Sequence, residues 1–401
     1  DSSSYINFQS YRKSIYPLIL DLQNSTGLNI ILLQKFIFSY SVVFLIFTLI
    51  NKGITPFISL VFFTLLIINI YYVSYTKTIL PEALFFSSIN FFSAFILKKE
   101  SVFKYIILGF LLGIIFNLKA IGPVISIGSL IVIISCKIIE NNLKKLLMII
   151  IPMISLIFLE NTFFYNNHNE RNTVFYNSVI GKLLILSGKD SFVISEYPKE
   201  LNDLLGSSKL YYSEVHKILR KIKNPILRAD YMADYEVHAQ YLFLDRVEVS
   251  DKLKNYIKKS SNLIFLRLLS NNPLDYLILT CSNYIGMWST GMRYIYQVPS
   301  EIPYIKELER VSGYVRFENK KVLLIAQFFF ILLFIFSLVI FFYALINFKR
   351  KNLLFYFSVI SQLYLITVAM TNVATIRYLM PVYPLLLLSV VFLINNPRIN
   401  K

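Results

Sequence analysis

The chain predicts an all-α polytopic membrane protein, and three observations predict it. Of its 401 residues, 56% are hydrophobic and only 16% charged, whereas soluble domains hold roughly 25% charged and 45–50% apolar residues. The apolar residues fall in runs close to the ~20 that a helix needs to cross a bilayer. Lys and Arg in the short connections between those runs collect on alternate connections, the bias that marks a cytoplasmic face.

Residues 1–27 are polar and aromatic, with no run long enough to span, and read as a first outer loop. A core of about six candidate spans follows within 28–160, at 28–50, 54–72, 81–97, 103–118, 121–136 and 146–159. A hydrophilic region over 161–320 then interrupts the series. Three further spans, at 322–346, 353–370 and 377–395, make up 321–401. One set of connections carries Lys52, Lys98, Lys99, Lys104, Lys137, Lys144, Lys145, Lys349, Arg350, Lys351, Arg398 and Lys401. The other carries only Arg12, Lys13, Lys77, Lys119 and Arg377. Twelve against five puts the first set inside. Alternation through nine spans then places 1–27, 75–82, 119–120, the hydrophilic region and 371–375 outside. The apolar run 274–288 reads as an interfacial helix. Asn271-Asn272-Pro273 and Asp275 crowd its start, and Tyr284 and Trp288 suit the headgroup zone.

The outer region reads as mainly helical. Val215, Ile218, Ile222 and Ile226 recur at helical spacing over 213–228, and 231–247 is a second helical stretch. Ser187-Gly188-Lys189-Asp190 and Gly206-Ser207-Ser208 read as loops. No repeat of fixed period is present, so a repeat-built transporter gains no support. The net charge of +17 would suit nucleic acid. Topological bias explains many of the lysines instead, and the abundance of Ile, Lys, Asn, Phe and Tyr suits an AT-rich genome; no nucleic-acid partner is expected. Cys136 and Cys281 form neither a disulfide framework nor a metal-ligand spacing. The chain starts at Asp1 without a signal peptide, which predicts a preceding membrane helix.

Chemistry-bearing residues gather at the outer boundary. Glu82 follows Pro81 where a span begins. A structural reading is available, since proline suits the first helical position and an acid there meets the positive end of the helix dipole. The functional reading is that ionisable groups at the membrane boundary mark sites. Asp1, among Ser2, Ser3 and Ser4, is either a solvated loop acid or a partner of Glu82. Lys119 and Arg377 are either snorkelling cations or phosphate ligands. Lys77 and Arg12 share their side of the membrane. Arg binds phosphate as a planar fork and Lys as a point charge. Carboxylates can hold a divalent ion or take a proton from an attacking hydroxyl. His168, His216 and His238 read as surface residues, and Trp288 as an interfacial anchor. No Gly-rich phosphate loop or hydrolase motif occurs.

Several segments, in order, resemble the C-type membrane glycosyltransferases, specifically the family 39-like bacterial relatives of protein O-mannosyltransferases and of the lipid A aminoarabinose transferase. They are Asp1-Ser2 with Tyr5 and then Arg12 and Tyr16-Pro17; Pro81-Glu82; Leu118-Lys119 with Gly122-Pro123; Glu170-Arg171-Asn172 with Gly181-Lys182; Asn272-Pro273-Leu274-Asp275-Tyr276-Leu277; and Arg377-Tyr378-Leu379-Met380-Pro381. The first loop departs from the mannosyltransferases in having Asp-Ser rather than Asp-Glu, which argues against direct protein mannosylation. The resemblance implies a C-type architecture with a mainly helical periplasmic domain and a multi-pass location in the bacterial inner membrane. It also implies inverting transfer, at the periplasmic face, of a sugar from a polyprenyl phosphate to a lipid, glycan or protein acceptor. Asp1 and Glu82 would then be the catalytic acids and the ligands of a divalent ion (Mg or Mn), with Lys119, Arg377, Lys77 and Arg12 on the donor phosphate. The competing classes are a non-catalytic lipid or polysaccharide transporter and a surface-polysaccharide ligase or polymerase.

Overall fold

The computed structural model describes residues 5–7, 12–135, 138, 142–163, 173–245, 250–290, 320–347, 352–372 and 375–395, and every regular element among them is helical. The first eight helices are α1 (Ile15–Thr26), α2 (Ile30–Asn51), α3 (Pro56–Ile68), α4 (Ile70–Ser74), α5 (Glu82–Leu97), α6 (Val102–Leu118), α7 (Gly122–Ser135) and α8 (Leu143–Phe163). They are followed by α9 (Thr173–Ser187), α10 (Lys199–Lys221), α11 (Pro225–Asp245), α12 (Asp251–Asn271) and α13 (Pro273–Gly286). The last four are α14 (Lys320–Ile346), α15 (Asn352–Thr371), α16 (Ile376–Leu379) and α17 (Tyr383–Ile394). The chain forms two compact units. One holds residues 1–167, 333–364 and 379–401, and the other 168–332 and 365–378.

Each apolar run of the sequence falls on one of these helices or on a consecutive set of them. Among the described residues, four helices are long and apolar enough to cross a membrane: Ile30–Asn51, Lys321–Ile346, Leu353–Thr371 and Ile376–Ile394. The pair Pro56–Ile68 and Ile70–Lys77, bent by 61°, makes a fifth if it counts as one span. The bend comes from Asn69, whose side chain accepts from the N–H groups of Tyr71 and Tyr72 at 3.1 Å and so restarts the helix. Helices α5, α6 and α7 have 16, 17 and 14 residues, about 21–26 Å at 1.5 Å per residue, against a hydrocarbon core of ~30 Å.

Helix α5 lies at the centre of the first unit, with fourteen of its sixteen residues buried. A helix covered all round must satisfy its polar side chains within the protein, and Ser87, Ser88 and Ser93 bond back to carbonyls four residues earlier in α5. Asn90 donates to Ser41 on α2 at 3.1 Å and pairs with the Tyr72 hydroxyl on α4, and Tyr72 stacks on Phe86 at 5.0 Å. The C-terminal carbonyls of α5 are capped by Lys104, whose Nζ donates to Ile96 O at 3.0 Å and to Lys98 O at 2.7 Å.

Helices α6 and α8 approach closely through Gly109 and Gly113, the small-xxx-small spacing that brings helix backbones together. A Cβ on Gly109 would stand 2.2 Å from the Ile149 carbonyl oxygen, and one on Gly113 would stand 2.8 Å from the Leu156 side chain. The Gly109→Ala protein is expected to lose about 1–3 kcal/mol through overpacking. The thermal midpoint of the purified full chain in detergent checks this, with Gly206→Ala, whose added Cβ meets nothing within 4 Å, as the tolerated control.

The hydrophilic region differs from the sequence expectation at several places. Gly206-Ser207-Ser208 is not a loop: α10 runs straight through it. Leu201, Leu205, Tyr212, Val215 and Leu219 bury one face of that helix, which outweighs the roughly 1 kcal/mol that a mid-helix glycine costs. The stretch 213–228 is not one helix. It breaks at Ile222, and Asn224 caps the next helix through its side chain, accepting from Ile226 N at 3.0 Å and Leu227 N at 3.2 Å ahead of Pro225. Helix α13 ends at Gly286, short of the expected 288. Trp288 is not an interfacial anchor but is buried, its carbonyl accepting from Gln327 at 3.1 Å.

Candidate functional site

Glu82 opens α5, and its side chain is fully buried. Lys119, also buried, reaches it from the turn between α6 and α7, with Nζ 3.0 Å from Oε1. That turn is tight because Gly122 sits directly over the end of α6, where a Cβ would lie 2.0 Å from the Ile115 carbonyl oxygen. The chain leaves α6 extended at Lys119 and turns back at once, with Gly122 N–H donating to Lys119 O at 2.9 Å. The Lys119 ammonium also lies 5.7 Å from the Phe85 ring centroid, one turn along α5.

A line of aromatic and polar contacts runs on from this pair. Gln34 on α2 donates to the Leu80 carbonyl at 2.8 Å and to the Tyr16 hydroxyl at 3.3 Å, tying α1 to the connection before α5. Burial, and after it the charge of Glu82, push the Tyr16 hydroxyl well above the ordinary phenol range, so Tyr16 stays a neutral hydrogen-bonding group. Its ring meets Tyr5 edge-on at 5.3 Å, and Arg12 donates to the Tyr5 hydroxyl at 3.2 Å while lying over the same ring. Glu160, near the end of α8, is buried and accepts from both the Ser14 N–H, at 3.0 Å, and the Ser14 hydroxyl. This places a carboxylate at the positive end of α1.

The structure therefore brings together Glu82 and Lys119, with Arg12 on the same line of side chains. Lys77 is exposed in the short turn Tyr75–Lys77 that precedes Glu82. Arg377, half-buried in α16, belongs to the second unit. Asp1, expected as the second acid, lies outside the described residues, as does His168. Sequence reasoning missed Gln34 and Glu160 and gave Tyr16 no role at the site. Polar residues flanking a membrane helix were the available signal, but nothing local pairs residue 14 with residue 160.

The expected divalent ion finds little support at Glu82. Its Oε1 already accepts from an ammonium, and no group of three or more His, Cys, Asp or Glu side chains converges among the described residues.

The second unit holds another buried pair. Lys182 on α9 and Glu236 on α11 meet at 2.7 Å, both fully enclosed. Asn283 on α13 donates to the other Glu236 oxygen at 2.8 Å. Lys182 also donates to the carbonyls of Ala369 and Asn372, at 3.3 and 3.2 Å, which caps the C-terminal end of α15. The pair thereby holds the segment that leads to Arg377. His216 corrects the surface reading: it is buried, its Nε2 is 2.8 Å from the Ile185 carbonyl oxygen, and burial pulls its pKa down.

No protein-family model, curated protein or solved structure matches this chain. What the site can do follows from its own chemistry. A buried carboxylate can accept a hydrogen bond from a hydroxyl, and cations on the same side of the membrane attract a phosphate.

Proposed function

We propose that the protein is an inverting glycosyltransferase of the bacterial inner membrane. It takes a sugar from a polyprenyl phosphate and passes it to a lipid, glycan or protein acceptor at the periplasmic face. The observation that carries this reading is the pairing of Glu82 with Lys119, 37 residues apart in sequence. Each belongs to a different short connection that positive-inside bias places outside. A buried ion pair adds little net stability over well-packed apolar side chains, so its presence at a span boundary favours a chemical role.

In this reading the acceptor hydroxyl oxygen attacks the anomeric carbon while the bond from that carbon to the phosphate oxygen breaks. The hydroxyl proton passes to a carboxylate, with Asp1 as the base and Glu82 orienting the acceptor. Polyprenyl phosphate leaves with the bonding electrons. Lys119, with Lys77 and Arg12 at the approach, stabilises the charge that develops on it. The transfer is tested with the purified full chain in proteoliposomes, supplied with radiolabelled polyprenyl-phosphate sugar and an acceptor extract. Label in a new product supports it. Vectorial movement of the donor without a product indicates a transporter, and joining of diphosphate-linked oligosaccharides indicates a ligase or polymerase.

A further inference from the structure

The second unit contains a cavity of about 450 Å³ that the transfer reading does not use. Its floor is apolar, with Ile185, Leu219, Met232 and Leu279 among its walls, and its charged groups are Lys189, Arg220, Arg228 and Asp275. Lys189 lies 3.4 Å from Asp275, and Ser191 donates to the same carboxylate, so the one acid is already neutralised. Arg220, in the last turn of α10, and Arg228, in the first turns of α11, are both exposed. They leave the cavity with a net positive charge. Buried His216 on its wall is turned to the Ile185 carbonyl.

One side of the cavity is α13, and α13 carries an uncovered apolar stripe. Leu274, Leu277 and Ile278 are 68%, 57% and 51% exposed, and Cys281 is exposed beside them. Their spacing of three, four and seven residues puts them on one face. With 14 residues, α13 is about 21 Å long, and its single exposed apolar face suits it to lying in the interface. Paired arginines beside an apolar helix face match a ligand with a phosphate at one end and hydrocarbon at the other.

We propose that this cavity binds an anionic phospholipid, with Arg220 and Arg228 on the headgroup phosphate and the acyl chains along Leu274, Leu277, Ile278 and Cys281. The site anchors the second unit to the membrane surface and stands independently of the transfer reaction.

The test uses the full chain in detergent, with an environment-sensitive fluorophore on Cys281 in a Cys136→Ser background, titrated with phosphatidylglycerol or phosphatidylcholine. A blue shift at lower concentrations of phosphatidylglycerol is expected. The preference should fall by about 30-fold in the Arg220→Gln/Arg228→Gln protein, about fivefold for each arginine, and survive in large part in the Arg220→Lys/Arg228→Lys protein. Both arginines are exposed, so an unchanged thermal midpoint shows that the fold is intact. Equal responses to the two lipids, or a preference that persists in the double glutamine variant, would overturn the proposal. Displacement of phosphatidylglycerol by inorganic phosphate alone would also overturn it, by making this a site for free anions.

Discussion

The Glu82→Gln protein is expected to insert normally and to lose transfer by about 10²-fold, the loss that misplacing a reacting group by about 1 Å brings. The amide keeps the shape and hydrogen-bonding capacity of the side chain but removes its charge. Lys119, buried and 3.0 Å away, then loses the counter-charge of Glu82, and breaking a buried pair in this way costs about 3–5 kcal/mol. Loss of activity alone would therefore not separate chemistry from folding. The Glu82→Gln/Lys119→Met double variant does so, because removing both charges relieves the penalty. It should recover the thermal midpoint of the unaltered chain and remain inactive. Recovery of activity along with stability would reduce the pair to a structural clamp.

The Lys182→Met protein is expected to lose about 3–5 kcal/mol of stability. Lys182 is the charge partner of fully enclosed Glu236 and the donor to two carbonyls at the end of α15. Burial already raises the Glu236 pKa above 4.5, with Lys182 and Asn283 opposing the rise; without the ammonium it rises further. The folded variant then binds more protons than the unfolded chain above pH 4.5. Its stability falls as pH rises through that window, and its deficit against the unaltered chain should shrink on acidification. Denaturation midpoints at several pH values check both the size and the sign. A deficit below about 1 kcal/mol, or one that grows on acidification, would contradict the account of this pair.

The helices were legible in the sequence because their cause is local. Apolar runs lie within the segments they organise, whereas the breaks at Asn69 and Asn224-Pro225 fall inside stretches, 54–72 and 213–228, whose apolar pattern looks continuous. Glu82 and Lys119 were legible for a related reason, since an ionisable residue between two apolar runs is visible without knowing its partner. The clamp of Lys182 by Glu236 and Asn283 was not, as it joins three helices whose sequence separation carries no signal. The same holds for Ser14 and Glu160. Gly206-Ser207-Ser208 misled because turn-forming residues were weighed by composition, while the buried stripe from Leu201 to Leu219 decides the local structure. Gly109 and Gly113 were readable as a helix-packing signature, and Asn224-Pro225 as a helix start.

The Glu82 and Lys119 pair is expected to sit at the outward face, where a lipid-linked donor presents its phosphate. Lys77 is exposed five residues ahead of Glu82 in the same connection. A Lys77→Cys protein, in a Cys136→Ser/Cys281→Ser background, reports its side directly through a membrane-impermeant maleimide. Labelling in intact spheroplasts is the expected result. Labelling confined to inverted vesicles would put the pair on the cytoplasmic face and contradict the account.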